Sequence, residues 1–443
     1  MYRTLFLVSS ITFFCGSTVL GAGQYHKISY GPSTKPGELQ LGVSYTLWLP
    51  DGVSQIRGII VHQHGCGRGA CQGGATAAYD LHWQALARKW DCALLGPSYE
   101  QDDKQNCRLW CDPRNGSAQT FLRALSELAR LAKHPEIATV PWCLWGHSGG
   151  GFWASIMQTL EPHRIVAIWF RSGTAYATWE KGEIARPEIK PEIYGIPMML
   201  NPGSKEKGDK RFHGAWTGSL AMFSAYRSQH ALIGLAPDPH TAHECGDSRY
   251  LAIPFFDACL QLRLPEKGSD TQKLKPIPEN SGYRAELLGS KAFAAKEFKG
   301  KDTESVWLPN EAVARAWENY VATGAVSDVT PPEPPTNLKI SKTEQGHINL
   351  SWEAEADFES GIQSFIIERD GKVIAQIPEK QVGRFGRPLF QRMSYHDTPE
   401  KPLPEMKYKD MTATPGVKHQ YSVRTVNSVR IQSKSSPTIS LPE

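Results

Sequence analysis

Ser148 lies in a stretch where a hydroxyl can be made to react: Trp142-Cys143-Leu144-Trp145-Gly146-His147-Ser148-Gly149-Gly150-Gly151. A serine oxygen is a poor nucleophile unless it is held away from the backbone, where a base can take its proton. The tip of a tight turn between a strand and a helix does this. Such a turn leaves no room for a Cβ on its neighbours, which accounts for Gly146 and Gly150. The N–H of Gly149 then opens the helix and points to where negative charge would develop. The bland alternative is a glycine-rich turn with a bystander serine.

The elements needed to position that serine are legible around it. Val140 to Trp145, interrupted by Pro141, reads as a short buried strand. Phe152, Trp153, Ile156, Met157 and Leu160 then recur at helical spacing until Glu161-Pro162. Loose alternation from Tyr25 to Pro50 reads as initial strands. Further strands are expected at Ile56–His64, Ala93–Pro97, Arg164–Phe170, Gly195–Leu200 and Ala231–Ala236. Helices are expected over about 75–90, from a Ser117 cap to about His134, and after Ser248. Strand and helix alternating in units of about 30 residues imply a parallel sheet with helices on both faces. The polar stretch 98–116, with two cysteines, is a long loop at the end of the sheet where substrate sites form.

Strand, Gly-x-Ser-x-Gly and helix in this order resemble the nucleophile elbow of the α/β-hydrolase superfamily, with Ser148 matching the nucleophile. The resemblance covers roughly residues 40–265 and implies the α/β-hydrolase fold. It implies that His64-Gly65, after the third strand, leads into the other half of an oxyanion hole. There an N–H near Cys66 or Gly67 would pair with that of Gly149; the plain alternative is a glycine-rich loop of no catalytic use. Ala70 to Gly74 would line the acyl side of the pocket. The family's acid follows the strand at 195–200, commonly as Gly-x-x-Asp or Gly-x-x-Glu. Gly203-Ser204-Lys205-Glu206 fits, so Glu206 is the first choice and Asp209 the alternative, although both could be solvated charges among Lys205, Lys207 and Lys210. The family's histidine lies in the loop before the closing helix, which favours His243, with His240 as the alternative base. Ser148, Glu206 and His243 stand in the family's chain order. A neutral His243 would take the serine proton, and the acid would hold its tautomer and stabilise the imidazolium.

The other histidines receive structural readings. His62 and His64 alternate on a strand, and with His240 and His243 a metal site can be imagined. No helical His-Glu-x-x-His is present and spacing places no third ligand, so neither metal nor cofactor is expected. His147 is expected to pack in the elbow.

The 443-residue chain, with 40% hydrophobic and 21% charged residues, suggests two to three domains and is too polar for a multi-span membrane protein. A net charge of +4 without a basic block gives no footprint for nucleic acid. Residues 1–22, with Arg3 before an apolar run and small residues near Gly21 and Ala22, read as a secretory signal peptide, so export is expected. Eight cysteines then remain, all before residue 260, in a compartment that permits disulfides. Cys66 with Cys71, and Cys107 with Cys111, are near enough to pair locally. Cys92 and Cys143 read as small buried hydrophobes.

Residues 264–329 lose strand signals and read as a tail wrapping back on the hydrolase region (23–329), with one apolar-faced segment from Glu311 to Val321. The proline-rich 330–336 is a semi-rigid linker. Residues 337–443 turn to short alternating strands, with a hairpin turn at Arg369-Asp370-Gly371-Lys372. Leu350-Ser351-Trp352 and the Tyr421-to-Asn427 run resemble a fibronectin type III sandwich, departing from it in a long connection over about 379–414. With no catalytic set, this domain is expected to serve spacing or binding, carbohydrate being the expected contact. The function expected of the whole is a secreted serine hydrolase cleaving carboxylic esters, small or polymeric, with acylated polysaccharide or polyester suggested by analogy. A serine peptidase on the same fold and a non-catalytic carbohydrate-binding or adhesion protein are the alternatives.

Overall fold

A computed structural model describes residues 23–269, 273–380, 389–402, 406–414 and 416–441; the expected leader lies outside the described residues. The central sheet has eight strands: β1 (Gly23–Tyr30), β2 (Val43–Pro50), β3 (Gly58–Gln63), β4 (Cys92–Tyr99), β5 (Trp142–His147), β6 (Ile165–Arg171), β7 (Met198–Asn201) and β8 (Ile233–Leu235). Their order is β1-β2-β4-β3-β5-β6-β7-β8. β2 pairs antiparallel with β1 and β4, and every other pair is parallel. Every residue of β3, β5, β6, β7 and β8 is buried, so both sheet faces are covered by helices, which explains their continuous apolar runs. The loops that leave the carboxyl ends of these strands are the natural place for a site.

The protein departs from the expected elements between residues 68 and 117 and in the tail. The single helix expected over 75–90 is two, Arg68–Ala77 and Leu81–Lys89. Asp80 starts the second by accepting the N–H groups of His82 and Trp83 at 3.0 and 3.3 Å. Residues 70–74 are therefore helix rather than loop, despite two glycines. Gly74 is there for close approach, since a Cβ would stand 1.8 Å from the Pro97 carbonyl oxygen. Ser117 is not a cap: Gly116, at φ 96°, precedes the helix Ser117–Ala132, and Ser117 Oγ donates to the Trp110 carbonyl at 2.6 Å. The tail does contain strands, β9 (Tyr283–Ala285), β10 (Ala292–Ala294) and β11 (Val306–Leu308), too short to show alternation. The helix Glu311–Thr323 fixes this tail to the sheet, Trp317 Nε1 donating to the Leu235 carbonyl at 2.8 Å.

The C-terminal sandwich packs two antiparallel sheets. One is β12 (Thr336–Lys342), β13 (Ile348–Glu353) and β16 (Lys407–Asp410). The other is β15 (Lys372–Ile377), β14 (Ile362–Arg369) and β17 (Tyr421–Asn427). Trp352, Phe365 and Tyr421 form its core. Asp370 and Gly371 take positive φ (52° and 73°), the backbone of the expected tight hairpin.

The long connection between β15 and β16 does not project into solvent. Of its described residues, the segment 389–402 docks on the N-terminal domain. Gln391 accepts the Leu81 N–H at 2.8 Å and donates to the Tyr79 carbonyl at 2.7 Å. Arg249, on the helix Arg249–Arg263, is buried between two buried carboxylates, at 2.5 Å from Asp80 Oδ2 and 3.0 Å from Asp397 Oδ2. Arg249→Met should lower unfolding stability by about 3–5 kcal/mol, because it strands two carboxylates without a counter-charge. Urea midpoints would check this, and an unchanged midpoint would mean the clamp contributes nothing.

Burial also sets a pH dependence. Desolvation holds His62, His64 and His147 well below the ordinary imidazole value, and His82 at about 4. The unfolded chain binds protons on these rings below about pH 6.5 and the folded chain does not. Stability is therefore complete above that pH and is lost as pH falls toward 4. Melting temperatures should drop continuously between pH 7 and 5; a flat profile would contradict the neutral, buried rings.

Candidate active site

β5 delivers Ser148 into a conformation that side chains rarely adopt, φ 53° and ψ −113°, directly before the helix Gly149–Leu160. The crowding expected from the sequence is present. A Cβ on Gly146 would lie 2.5 Å from the Gly150 carbonyl oxygen, and one on Gly150 would lie 2.2 Å from that of Gln63. The Ser148 N–H donates to the Arg171 carbonyl at 2.8 Å, which ties the elbow to β6.

Ser148, His243 and Glu206 come together from three loops. His243 Nε2 is 2.9 Å from Ser148 Oγ, and His243 Nδ1 is 2.6 Å from Glu206 Oε1. Glu206 is fully buried, and its second oxygen accepts the Gly203 N–H at 3.1 Å. A carboxylate only accepts, so Nδ1 carries the ring proton and Nε2 presents its lone pair to the serine O–H. The arrangement can take a proton from Ser148 and hold the resulting charge.

Neither alternative reaches the serine through these contacts. Asp209 is half-buried and accepts the N–H groups of Phe212 and Arg211 at 2.9 and 2.7 Å, which hold its carboxyl below the ordinary range. His240 is exposed, and its Nε2 donates to the Thr323 carbonyl at 2.8 Å. On the oxyanion side, a Cβ on Gly149 would meet Cys66 Sγ at 2.4 Å and Cys66 N at 3.3 Å, so those two backbones lie against each other. The Gly67 N–H is engaged by Gln101 Oε1 at 3.2 Å. Of the expected pair, Cys66 is the one left beside Gly149. Cys66 is bonded to Cys107, which staples this loop to the polar stretch 98–116. The two local pairings therefore do not form. Cys71 is buried, its thiol pushed up to about 12 by desolvation, and Cys92 and Cys143 are buried as expected.

Several residues that hold the site gave no local signal. Phe212 stacks on the His243 ring, with centroids 3.7 Å apart and planes 6° from parallel. Arg171, fully buried at the end of β6, donates to the Asn201 carbonyl and Thr241 Oγ1, both at 2.8 Å, and to the carbonyls of Ala242 (3.1 Å) and Glu244. It thereby joins the acid loop to the histidine loop. Asp238 gathers the same loop, accepting from the N–H groups of His240 (3.0 Å) and Asp247 (3.2 Å) and from the Tyr320 hydroxyl (3.1 Å). His62, imagined as a ligand, instead stacks on Trp145 with centroids 3.9 Å apart.

No family model matches the chain, nor does any curated protein. Among solved structures it is similar to a ferulic acid esterase at 12% identity and TM-score 0.37, over 54% of this chain and 97% of that one. An S-formylglutathione hydrolase from Agrobacterium tumefaciens matches at 12% identity and TM-score 0.35, over 56% of this chain and 96% of that one. An Fn3-like protein from Clostridium thermocellum matches at 20% identity and TM-score 0.17, over 26% of this chain and 94% of that one. Likenesses this distant leave the function to be argued from the site. No described helix is long and apolar enough to cross a membrane.

Proposed function

We propose that the protein is a serine hydrolase that cleaves carboxylic esters, with Ser148 as nucleophile, His243 as general base and Glu206 as the acid. The observation that carries this is the hydrogen-bonded chain from Glu206 through His243 to Ser148, at 2.6 and 2.9 Å, inside a strained elbow. Ser148 Oγ attacks the ester carbonyl as its proton passes to His243 Nε2. The new oxyanion lies against the N–H groups of Gly149 and Cys66. His243 returns the proton to the departing alcohol, leaving an acyl-serine that water, activated by the same ring, hydrolyses to the acid.

Export by the leader at 1–22 belongs to this proposal, and with it an extracellular ester such as acylated polysaccharide or polyester. The test is turnover of p-nitrophenyl acetate with labelling of Ser148 by a fluorophosphonate, followed by profiling on acetyl, feruloyl and polyester substrates. Absence of both labelling and turnover would leave a binding protein. Turnover of peptide nitroanilides without ester turnover would make it a peptidase.

A further inference from the structure

The docked connection from the C-terminal domain carries two residues to the elbow. The Tyr395 carbonyl accepts the N–H of Cys245, two positions beyond His243, at 3.1 Å. His396 Nδ1 lies 3.2 Å from His147 Nδ1. His147 in turn places its Nε2 2.7 Å from the backbone carbonyl of His243. A carbonyl can only accept, so His147 Nε2 carries that ring's proton. His147 is 1% exposed and burial keeps it neutral, which leaves its Nδ1 bare. The contact between the two Nδ1 atoms then requires His396 to donate. The result is a directed chain: His396 Nδ1–H to His147 Nδ1, and His147 Nε2–H to the His243 carbonyl. The connection is held in place beside it, since Asp397 and Thr398 are fully buried and Arg249 also donates to the Asp397 carbonyl at 3.0 Å.

We propose that His396, supplied by the C-terminal domain, is a positioning residue for His243 and acts through His147, so that the trailing sandwich is a working part of the active site. This rests on the reading of Ser148, His243 and Glu206 as a triad. The chain bears on the backbone of the general base, where small displacements of a reacting group are expensive in rate. A competing arrangement uses the same atoms, because His147, Cys245 and His396 offer three ligand atoms within 4.8 Å of one another. That group supplies three donors, where a closed structural zinc site takes four, and the hydrogen-bonded chain accounts for both histidines without an ion.

The experiment uses the full chain with His396→Ala, His396→Asn and His396→Gln, and p-nitrophenyl acetate as substrate. His396→Ala should lower kcat about tenfold with KM unchanged. An asparagine amide stands where Nδ1 stood and should recover most of the loss, whereas a glutamine amide reaches toward the Nε2 position and should not. Unchanged kcat in His396→Ala, or equal activity of the Asn and Gln variants, would overturn the role, even if the alanine variant also loosens the connection. One equivalent of zinc or copper in the purified protein, lost in Cys245→Ser, would replace the hydrogen-bonded chain with a metal site. If the wild type takes no fluorophosphonate at Ser148, the triad and this role fall together; labelling with equal Asn and Gln variants removes this role alone.

Discussion

Ser148→Ala is expected to lower kcat for ester hydrolysis by about 10⁵-fold or more, with the folded structure retained. The loss is large because the proposed acyl bond forms on this hydroxyl, which lies in contact with His243 Nε2 at 2.9 Å. His243→Ala should cost a similar factor, and the double variant little more than either single one, since the two groups act in one step. What survives should be a weak rate above water from the Gly149 and Cys66 N–H groups, which neither change removes. The backbone offers an independent check. Alanine must keep φ 53° at this position and glycine adopts it freely. Ser148→Gly should therefore be as inactive as Ser148→Ala yet unfold at a higher temperature. Equal melting points would mean the elbow stores no strain, and substantial turnover by either variant would remove Ser148 as the nucleophile.

The turn around Ser148 was readable because a tight strand-to-helix turn constrains its neighbours. Gly146 and Gly150 follow from the space around the turn, and the apolar helix behind them follows from the need to anchor it. That Glu206 and His243 would lie together beside Ser148 was legible through chain order and through the loops that leave β7 and β8. What escaped is held by contacts between distant positions, which leave no periodic trace. Phe212 meets His243 across 31 positions, and nothing around it distinguishes it from a loop aromatic. Arg171 is the last residue of an apolar strand, where an arginine would ordinarily be taken to mark its solvated end. It is instead buried because five backbone or side-chain oxygens, from the end of β7 and from the histidine loop, converge on it. The Cys66–Cys107 bridge spans 41 positions, so proximity in sequence favoured the wrong partners.

The C-terminal domain shows the same limit on a larger scale. Its strands and hairpin were legible from alternation and from Asp370-Gly371, because these are local. Its departure from the sandwich pattern was visible as extra length, but length carries no address. The address lies in Asp397, which reaches Arg249 across 148 positions and shares it with Asp80. A spacing role fits a domain joined only by its linker. Burial of this charged cluster at the domain boundary means that separating the domains would expose or strand three ionised groups, which favours a fixed arrangement.

The proposed acid gives the sharpest remaining test, because two carboxylates three positions apart have different partners, His243 for Glu206 and backbone N–H groups alone for Asp209 among the hydrogen bonds described. Glu206→Gln should lower kcat by roughly 10³–10⁴-fold, while Asp209→Asn should stay within about twofold of wild type. Glu206 uses both oxygens as acceptors, one from His243 Nδ1 and one from the Gly203 N–H. A glutamine has one oxygen and one NH₂, so it cannot serve both donors. If its oxygen faces His243, its NH₂ meets the Gly203 N–H. If it turns over, its NH₂ meets Nδ1 and drives the ring to the other tautomer, which points an N–H at Ser148 and removes the lone pair needed for proton transfer. Asp209, by contrast, receives both of its backbone donors on the single oxygen Oδ1, which an asparagine reproduces. Turnover rates of the two variants at neutral pH would decide between them. A crippled Asp209→Asn beside an active Glu206→Gln would transfer the acid's role and show that the buried 2.6 Å contact serves only to hold the loop.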